Sequence, residues 1–245
     1  MKRAHREAAR YPRADEQRPF VKGGRITSLA QRSGFTLVEL LVVIAIIAAL
    51  AGLIVPAVFQ ARISAKNAAI RAEIAMLHMA MVNYKNEYGS FPPCTSLADA
   101  RSHVLRLFPR TTSISSEVRT APTLQTALYY WLEGYTKNPT SPVQVGDRVK
   151  LFEFDRNRLT TTDQYHPVDK PNSPYLYINS SSYNAFSAGV PGSTTLGANR
   201  RTAAEYFNPD TFQILCAGLD ETWGTEDDLS NFWKGTRKDY EDSLR

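Results

Sequence analysis

The chain has 245 residues, with 29 Lys and Arg against 24 Asp and Glu, a formal charge of +5 and two cysteines. Two cysteines exclude a disulfide-dense scaffold, and the pI of about 9.2 would suggest a nucleic-acid binder only if the charge were spread over the chain. It is not: residues 1–34 hold nine basic and three acidic side chains, and the rest holds 20 basic and 21 acidic, so no nucleic-acid partner is expected. That leader also contains Pro12, Pro19 and Gly23-Gly24, a composition that suits a disordered tail.

From Leu40 to Phe59 there are twenty residues without a charged or hydrogen-bonding side chain. Roughly 20 apolar residues suffice to cross a bilayer as a helix. The one ionisable group at the edge of the run is Glu39. A carboxylate at membrane depth costs about 2.5–3.5 kcal/mol on insertion scales, so Glu39 calls for a partner. A basic flank before a single span predicts that end in the cytoplasm and the rest outside. An ordinary secretory signal fits less well, because its apolar region is about 7–15 residues and is cut on its far side. A plain signal anchor accounts for the hydrophobicity and basic flank but not for the Gly34–Glu39 residues ahead of the run.

Beyond Phe59, apolar residues recur at Ile63, Ile70, Ile74, Leu77, Met81, Tyr84 and Tyr88, the spacing of one helix face. Lys66, Arg71, Glu73, Asn83 and Lys85 are expected on the opposite, solvated face. Gly89 and Pro92-Pro93 supply the stop, and Gly52 and Pro56 are weak points within the helix. Next come two short helices. One is capped by Ser96 with Asp99, uses Leu97, Val104, Leu105 and Phe108, and ends near Pro109. The other starts near Pro122 and uses Leu124, Leu128, Trp131 and Tyr135. Tyr129-Tyr130-Trp131 reads as core or subunit interface rather than a ligand platform. Strands are expected at Leu151–Phe154, Tyr175–Ile178 and Phe212–Cys216, separated by turn-rich stretches at 163–174 and 189–197. A long helix followed by strands predicts an α+β fold, the helix laid on a small antiparallel sheet. Cys94 and Cys216 fall in the part expected outside, where disulfides persist; a bridge and two buried free thiols both fit the sequence.

Ser33-Gly34-Phe35-Thr36-Leu37-Val38-Glu39 and the apolar run after it resemble the N-terminal signal of type IV pilins and type II secretion pseudopilins, with Pro56 where many members carry a helix-kinking proline. The resemblance implies a leader, 1–34, removed by a prepilin peptidase between Gly34 and Phe35, and methylation of the new Phe35 amine. It implies an assembly role for Glu39, which would meet the N-terminal amine of a neighbouring subunit. It places a pilin-type helix at 35–88, spanning the membrane over about 37–59, and a globular head at 89–245 with an insertion at about 95–150. The exit Tyr84–Pro92 is similar to that of the G-type major pseudopilins, and Asp169–Tyr177 matches a further segment of theirs more loosely.

The stretch Ala217–Leu229 is similar to the calcium-binding C-terminal loop of the same pseudopilins. Calcium wants six to eight oxygens. By position in that motif, Asp220 and Asp227 would ligate Ca2+, with Asp228 or Thr225 and the carbonyls of Leu219 and Trp223 completing the shell; a solvated acidic turn is the alternative. No zinc spacing, Gly-x-Ser-x-Gly or phosphate loop is present, so no enzyme is expected. The partners implied are further copies of the chain in a helical filament, other pseudopilins, the prepilin peptidase and the inner-membrane assembly platform. The implied location is a single pass of the inner membrane, with the head periplasmic or in an extracellular filament. A membrane-anchored binding module or minor pilin, whose head recognises a surface or secreted substrate, is the competing expectation.

Overall fold

The computed structural model of the chain describes residues 34–144, 146–189 and 195–245. It divides into two compact units, one ending at Leu50 and the other spanning Ala51–Arg245. Helix α1, Leu37–Tyr88, includes Pro56 within its length and ends one residue before Gly89. Helices α2 (Leu97–Leu107), α3 (Ile114–Glu117) and α4 (Ala127–Leu132) follow, then strands β1 (Tyr135–Thr136) and β2 (Arg148–Val149), which pair antiparallel. Strands β3 (Leu176–Asn179), β4 (Ser187–Gly189), β5 (Ala198–Asn199), β6 (Phe212–Cys216) and β7 (Leu229–Ser230) precede α5 (Arg237–Asp242). The main sheet has the order β3-β6-β7, antiparallel, with Leu176 opposite Leu215 and Leu215 opposite Ser230. β4 and β5 form a parallel pair. The fold is α+β, a long N-terminal helix followed by a globular part of small sheets and short helices.

Within the second unit most of the helical stripe is buried as its spacing predicts, although Ile63 is exposed and Tyr88 half-buried. Ile70, Ile74, Leu77, Met81 and Tyr84 are all buried, in one core with β3 and β6, whose residues are buried throughout. Each such side chain contributes about 1.5–3 kcal/mol on leaving water. The Phe212 ring lies 5.0 Å from that of His78 on α1. Asn231, after β7, accepts the Ile214 amide at 2.8 Å and contacts His78 Nδ1 at 3.0 Å. Ser96 caps α2 through the Asp99 amide, as its position suggests, although the reciprocal half of a capping box is absent.

Glu73 departs from the expectation of a solvated helix face. Its carboxylate is buried, 9% exposed, and accepts hydrogen bonds from the hydroxyls of Tyr165 (2.7 Å) and Tyr175 and from the guanidinium of Arg158. Arg158 also donates from Nε to the His166 carbonyl at 2.9 Å and stacks over the Tyr165 ring. The charge is tolerated in the core because both of its oxygens are hydrogen-bonded and an opposite charge lies against it. Burial, and then the Glu73 carboxylate, hold the Tyr165 hydroxyl above the ordinary tyrosine range.

Two further expectations are corrected. Leu151–Phe154 is not a strand. The Leu151 and Phe152 amides both turn to the Leu132 carbonyl at the end of α4 (2.9 and 3.3 Å), and Phe154 packs edge-on to Tyr165. The alternation there serves aromatic packing and not a ladder. Cys94 and Cys216 are both buried free thiols and form no disulfide. Leu215, next to Cys216, pairs with Leu176, the first residue of β3, whereas Cys94 lies by Asn179, the last. Three strand steps separate those residues, about 10 Å at ~3.3 Å per residue, beyond the reach of an S–S bond. Burial pushes the Cys216 thiol up to about 12.

The buried pair gives a stability prediction. Glu73→Ala leaves a guanidinium and two hydroxyls unpaired in the core, and is expected to destabilise the folded chain by about 3–5 kcal/mol, whereas Lys66→Ala on the exposed face is expected to change it by less than about 0.5 kcal/mol. Denaturant unfolding of the detergent-solubilised variants checks this; equal effects would show that Glu73 is not part of the core.

Candidate functional site

The expected processing site lies at the start of α1, in the unit that ends at Leu50. Gly34 and Phe35 precede the helix and are exposed, and no atom lies within 4 Å of where a Cβ on Gly34 would stand. The peptide bond between them lies outside the helix and is exposed, as a peptidase requires. Residues 1–33 of the expected leader lie outside the described residues.

Thr36 starts the helix. Its carbonyl takes the first helical bond, from the Leu40 amide at 3.1 Å, and its hydroxyl takes the Glu39 amide at 3.1 Å. Glu39 reaches back so that one carboxylate oxygen accepts both the Thr36 amide and the Thr36 hydroxyl, each at 2.9 Å. This is a reciprocal capping box, which satisfies amides that the first helical turn leaves without partners. The Thr-x-x-Glu spacing that announces it stands in the sequence but was read only as part of a processing signal. Glu39 makes no ion pair among the described residues. The apolar residues that follow, Leu37 to Phe59, are exposed, with no cover from the described residues. α1 is long and apolar enough to cross a membrane.

The second expected site, the acidic loop between β6 and β7, is closed by its own hydrogen bonds. Asp227 Oδ2 accepts the amides of Leu219 (2.6 Å) and Asp220 (3.1 Å), and its Oδ1 accepts the Thr225 hydroxyl (2.7 Å). Asp220 accepts the Thr222 amide at 2.8 Å. Gly218 holds φ at +71°, and a Cβ there would collide with Asp227. Asp228 is buried; its Oδ2 accepts the Gly224 amide at 2.9 Å, while Oδ1 has no partner among the described residues. Burial first, then the charges of Asp227 and Asp220, push its carboxyl up to about 7.

Cations from elsewhere enter this loop, which the sequence reading missed. The Lys170 ammonium donates to the Leu219 carbonyl and pairs with Glu221 at 3.5 Å. Arg237 donates to the carbonyls of Thr225 (2.7 Å) and Gly224 (3.2 Å), and Lys238 pairs with Glu226 at 2.8 Å. Arg237 and Lys238 come from α5, just downstream, while Lys170 is brought in by the turn ahead of β3. Among the described residues no three His, Cys, Asp or Glu side chains converge as metal ligands. The loop therefore brings Asp220, Asp227 and Asp228 into one turn without arranging them as a closed shell.

The family model for the prokaryotic N-terminal methylation motif matches residues 29–55. No curated protein and no solved structure matches the chain. The matched segment contains Gly34, Phe35, the capping pair and the first part of the apolar helix. It is a type IV pilin-like signal, which implies processing by prepilin peptidase and filament assembly with other pilins. With one apolar helix behind it, that signal fits a membrane-anchored protein.

Proposed function

We propose that the chain is a structural subunit of a type II secretion pseudopilus or a closely related type IV pilus-like filament, with no catalysis of its own. It would be held in the inner membrane with its N-terminus in the cytoplasm and its head in the periplasm, cut after Gly34 and methylated at Phe35. It would then assemble with copies of itself and other pseudopilins through α1, at the inner-membrane platform. The observation that carries this reading is Glu39, an unpaired carboxylate at the mouth of an uncovered apolar helix inside the matched motif. An ammonium four residues before it, on a neighbouring copy, would neutralise it where water cannot.

Mass spectrometry of the mature protein is expected to give Phe35 as the N-terminal residue, carrying one methyl group, and Gly34→Val is expected to retain the leader. Glu39→Ala is expected to stay membrane-inserted yet fail to assemble. A mature N-terminus elsewhere, or normal filaments from Glu39→Ala, would contradict the reading.

Calcium at the Ala217–Leu229 loop is part of the same proposal. What supports it, besides the resemblance, is the partnerless Oδ1 of buried Asp228 beside Asp220 and Asp227. Asp220, Asp227 and Asp228 would hold the ion, with Thr225 and the carbonyls of Leu219 and Trp223 as neutral donors. An ion there would remove the mutual repulsion of these carboxylates. It would also compete with Lys170 for the Leu219 carbonyl. A ligand that binds only the folded state stabilises it by about 2.7 kcal/mol at a hundredfold excess over Kd. The detergent-solubilised chain is therefore expected to melt at a higher temperature in millimolar calcium than in chelator, with magnesium doing less. Asp220→Ala with Asp227→Ala should abolish the difference. Identical melting in calcium and chelator would leave a self-closed acidic turn.

A further inference from the structure

A cavity of about 370 Å³ opens between α4, the segment after α3 and the turn at Thr162-Asp163. Of the aromatic triplet on α4, Trp131 is core, its indole N–H donating to the Pro93 carbonyl at 2.7 Å. Its neighbours Tyr129 and Tyr130 are half-buried and line the cavity. The sequence pattern assigned all three to packing; the structure separates them.

Two features of that wall are open to a ligand: a buried hydroxyl and two carboxylates free among the described residues, the half-buried Glu133 and the exposed Asp163. The Tyr130 hydroxyl is shielded from solvent and has no hydrogen-bond partner among the described residues. A buried hydroxyl left in that state costs about 1–3 kcal/mol. Glu133 and Asp163 line the same cavity, and neither carboxylate has a hydrogen-bond or ion-pair partner among the described residues. Asp163 holds φ at +60° in the turn where its amide donates to the Thr160 carbonyl at 3.1 Å, a conformation aspartate tolerates. By contrast, the charged groups on the far wall are fixed. Arg148 donates from Nε to the Gln144 carbonyl at 3.2 Å and from its guanidinium to the Val143 carbonyl. Glu117 accepts the Val143 amide at 3.0 Å, and Arg119 donates to the Ser116 carbonyl at 2.9 Å.

We propose that this cavity binds a neutral saccharide. Tyr129 and Tyr130 line the cavity, and aromatic rings can pack against the C–H side of a pyranose. Glu133 and Asp163 offer acceptors for paired hydroxyls, and the fixed guanidinium groups retain further N–H donors. Three carboxylates (Glu117, Glu133, Asp163) face two guanidinium groups (Arg119, Arg148), so neither a strongly acidic nor a strongly basic ligand is matched. An acidic ligand meets Glu133 and Asp163, and an amine meets Arg119 and Arg148. The volume lies near the lower end of ligand cavities, which run from about 300 to 1,000 Å³, so it suits one or two sugar rings. None of these residues lies on α1, so the binding does not depend on the filament reading and would survive its failure.

The test uses the full mature chain in a detergent without a sugar headgroup. Cellobiose, maltose and N,N′-diacetylchitobiose are titrated by calorimetry and followed by saturation-transfer NMR, with glucuronate and N-acetyl-lysine methylamide as charged controls. At least one of the disaccharides is expected to bind, and neither control. Glu133→Gln and Asp163→Gly are each expected to weaken binding about tenfold, the loss of one hydrogen bond to a charged group. Asp163→Gly suits a positive φ, so its melting temperature should not fall, which separates a lost ligand contact from lost folding. The proposal is overturned if none of the disaccharides binds, if a charged control binds instead, or if both variants bind as the unmodified chain does.

Discussion

The first half of α1 exposes more apolar surface than water tolerates, and nothing among the described residues covers it. At about 25 cal/mol per Å² of apolar area, a helix uncovered from Leu37 to Phe59 has a large free-energy gain waiting in lipid or against other helices. Lone exposed apolar residues on a protein surface need no explanation, but a continuous stretch of them does. On the filament reading proposed above, the stretch behind the pilin-like signal at residues 29–55 would meet two successive environments, a bilayer and then a bundle of like helices. Glu39 is costly in both. The capping box with Thr36 gives it two hydrogen bonds at once, which lets a carboxylate sit at the helix entrance before any neighbour arrives. A helix N-terminus also favours negative charge by its dipole. The side chain proposed to recruit the next subunit is thus also the one that starts the helix.

In the second unit the dependence runs the other way, from helix to head. The stripe from Ile70 to Tyr84 forms one core with β3 and β6. Glu73 fixes the register between this part of α1 and the Arg158–Tyr175 segment, because three donors from that segment converge on one carboxylate. Apolar packing alone would tolerate sliding along the helix; a buried charge with few acceptable partners does not. The acidic loop is tied to the same frame through Lys170, which lies in the turn leading from this segment into β3.

The helix stripe, the Ser96 cap and the strands β3 and β6 were legible because each rests on local chemistry: period, a capping hydroxyl, branched and aromatic runs. Glu73 was not legible, since a charge on a helix reads as solvated unless its partners are known, and these lie 85 to 102 residues away. Leu151–Phe154 alternates as a strand does, yet its amides are taken by one carbonyl at the end of α4. The cysteines could be counted, but their separation along β3 depends on long-range pairing. At the N-terminus, Gly34, Phe35 and Glu39 stood out by motif, whereas the pairing of Thr36 with Glu39 went unread although its spacing was present. Around Asp220 and Asp227 the acids were visible in sequence, but the distant cation Lys170 was not.

The proposed contact between the Glu39 carboxylate and the Phe35 amine of another subunit can be measured directly. Filaments assembled from two pools, one with 15N at the Phe35 amine and the other with 13C at the Glu39 carboxylate, test it by solid-state NMR. Ion pairing brings such groups within about 4 Å. The account predicts a direct 15N–13C dipolar contact that appears only in mixed filaments. Filaments that form and show no such contact would contradict it.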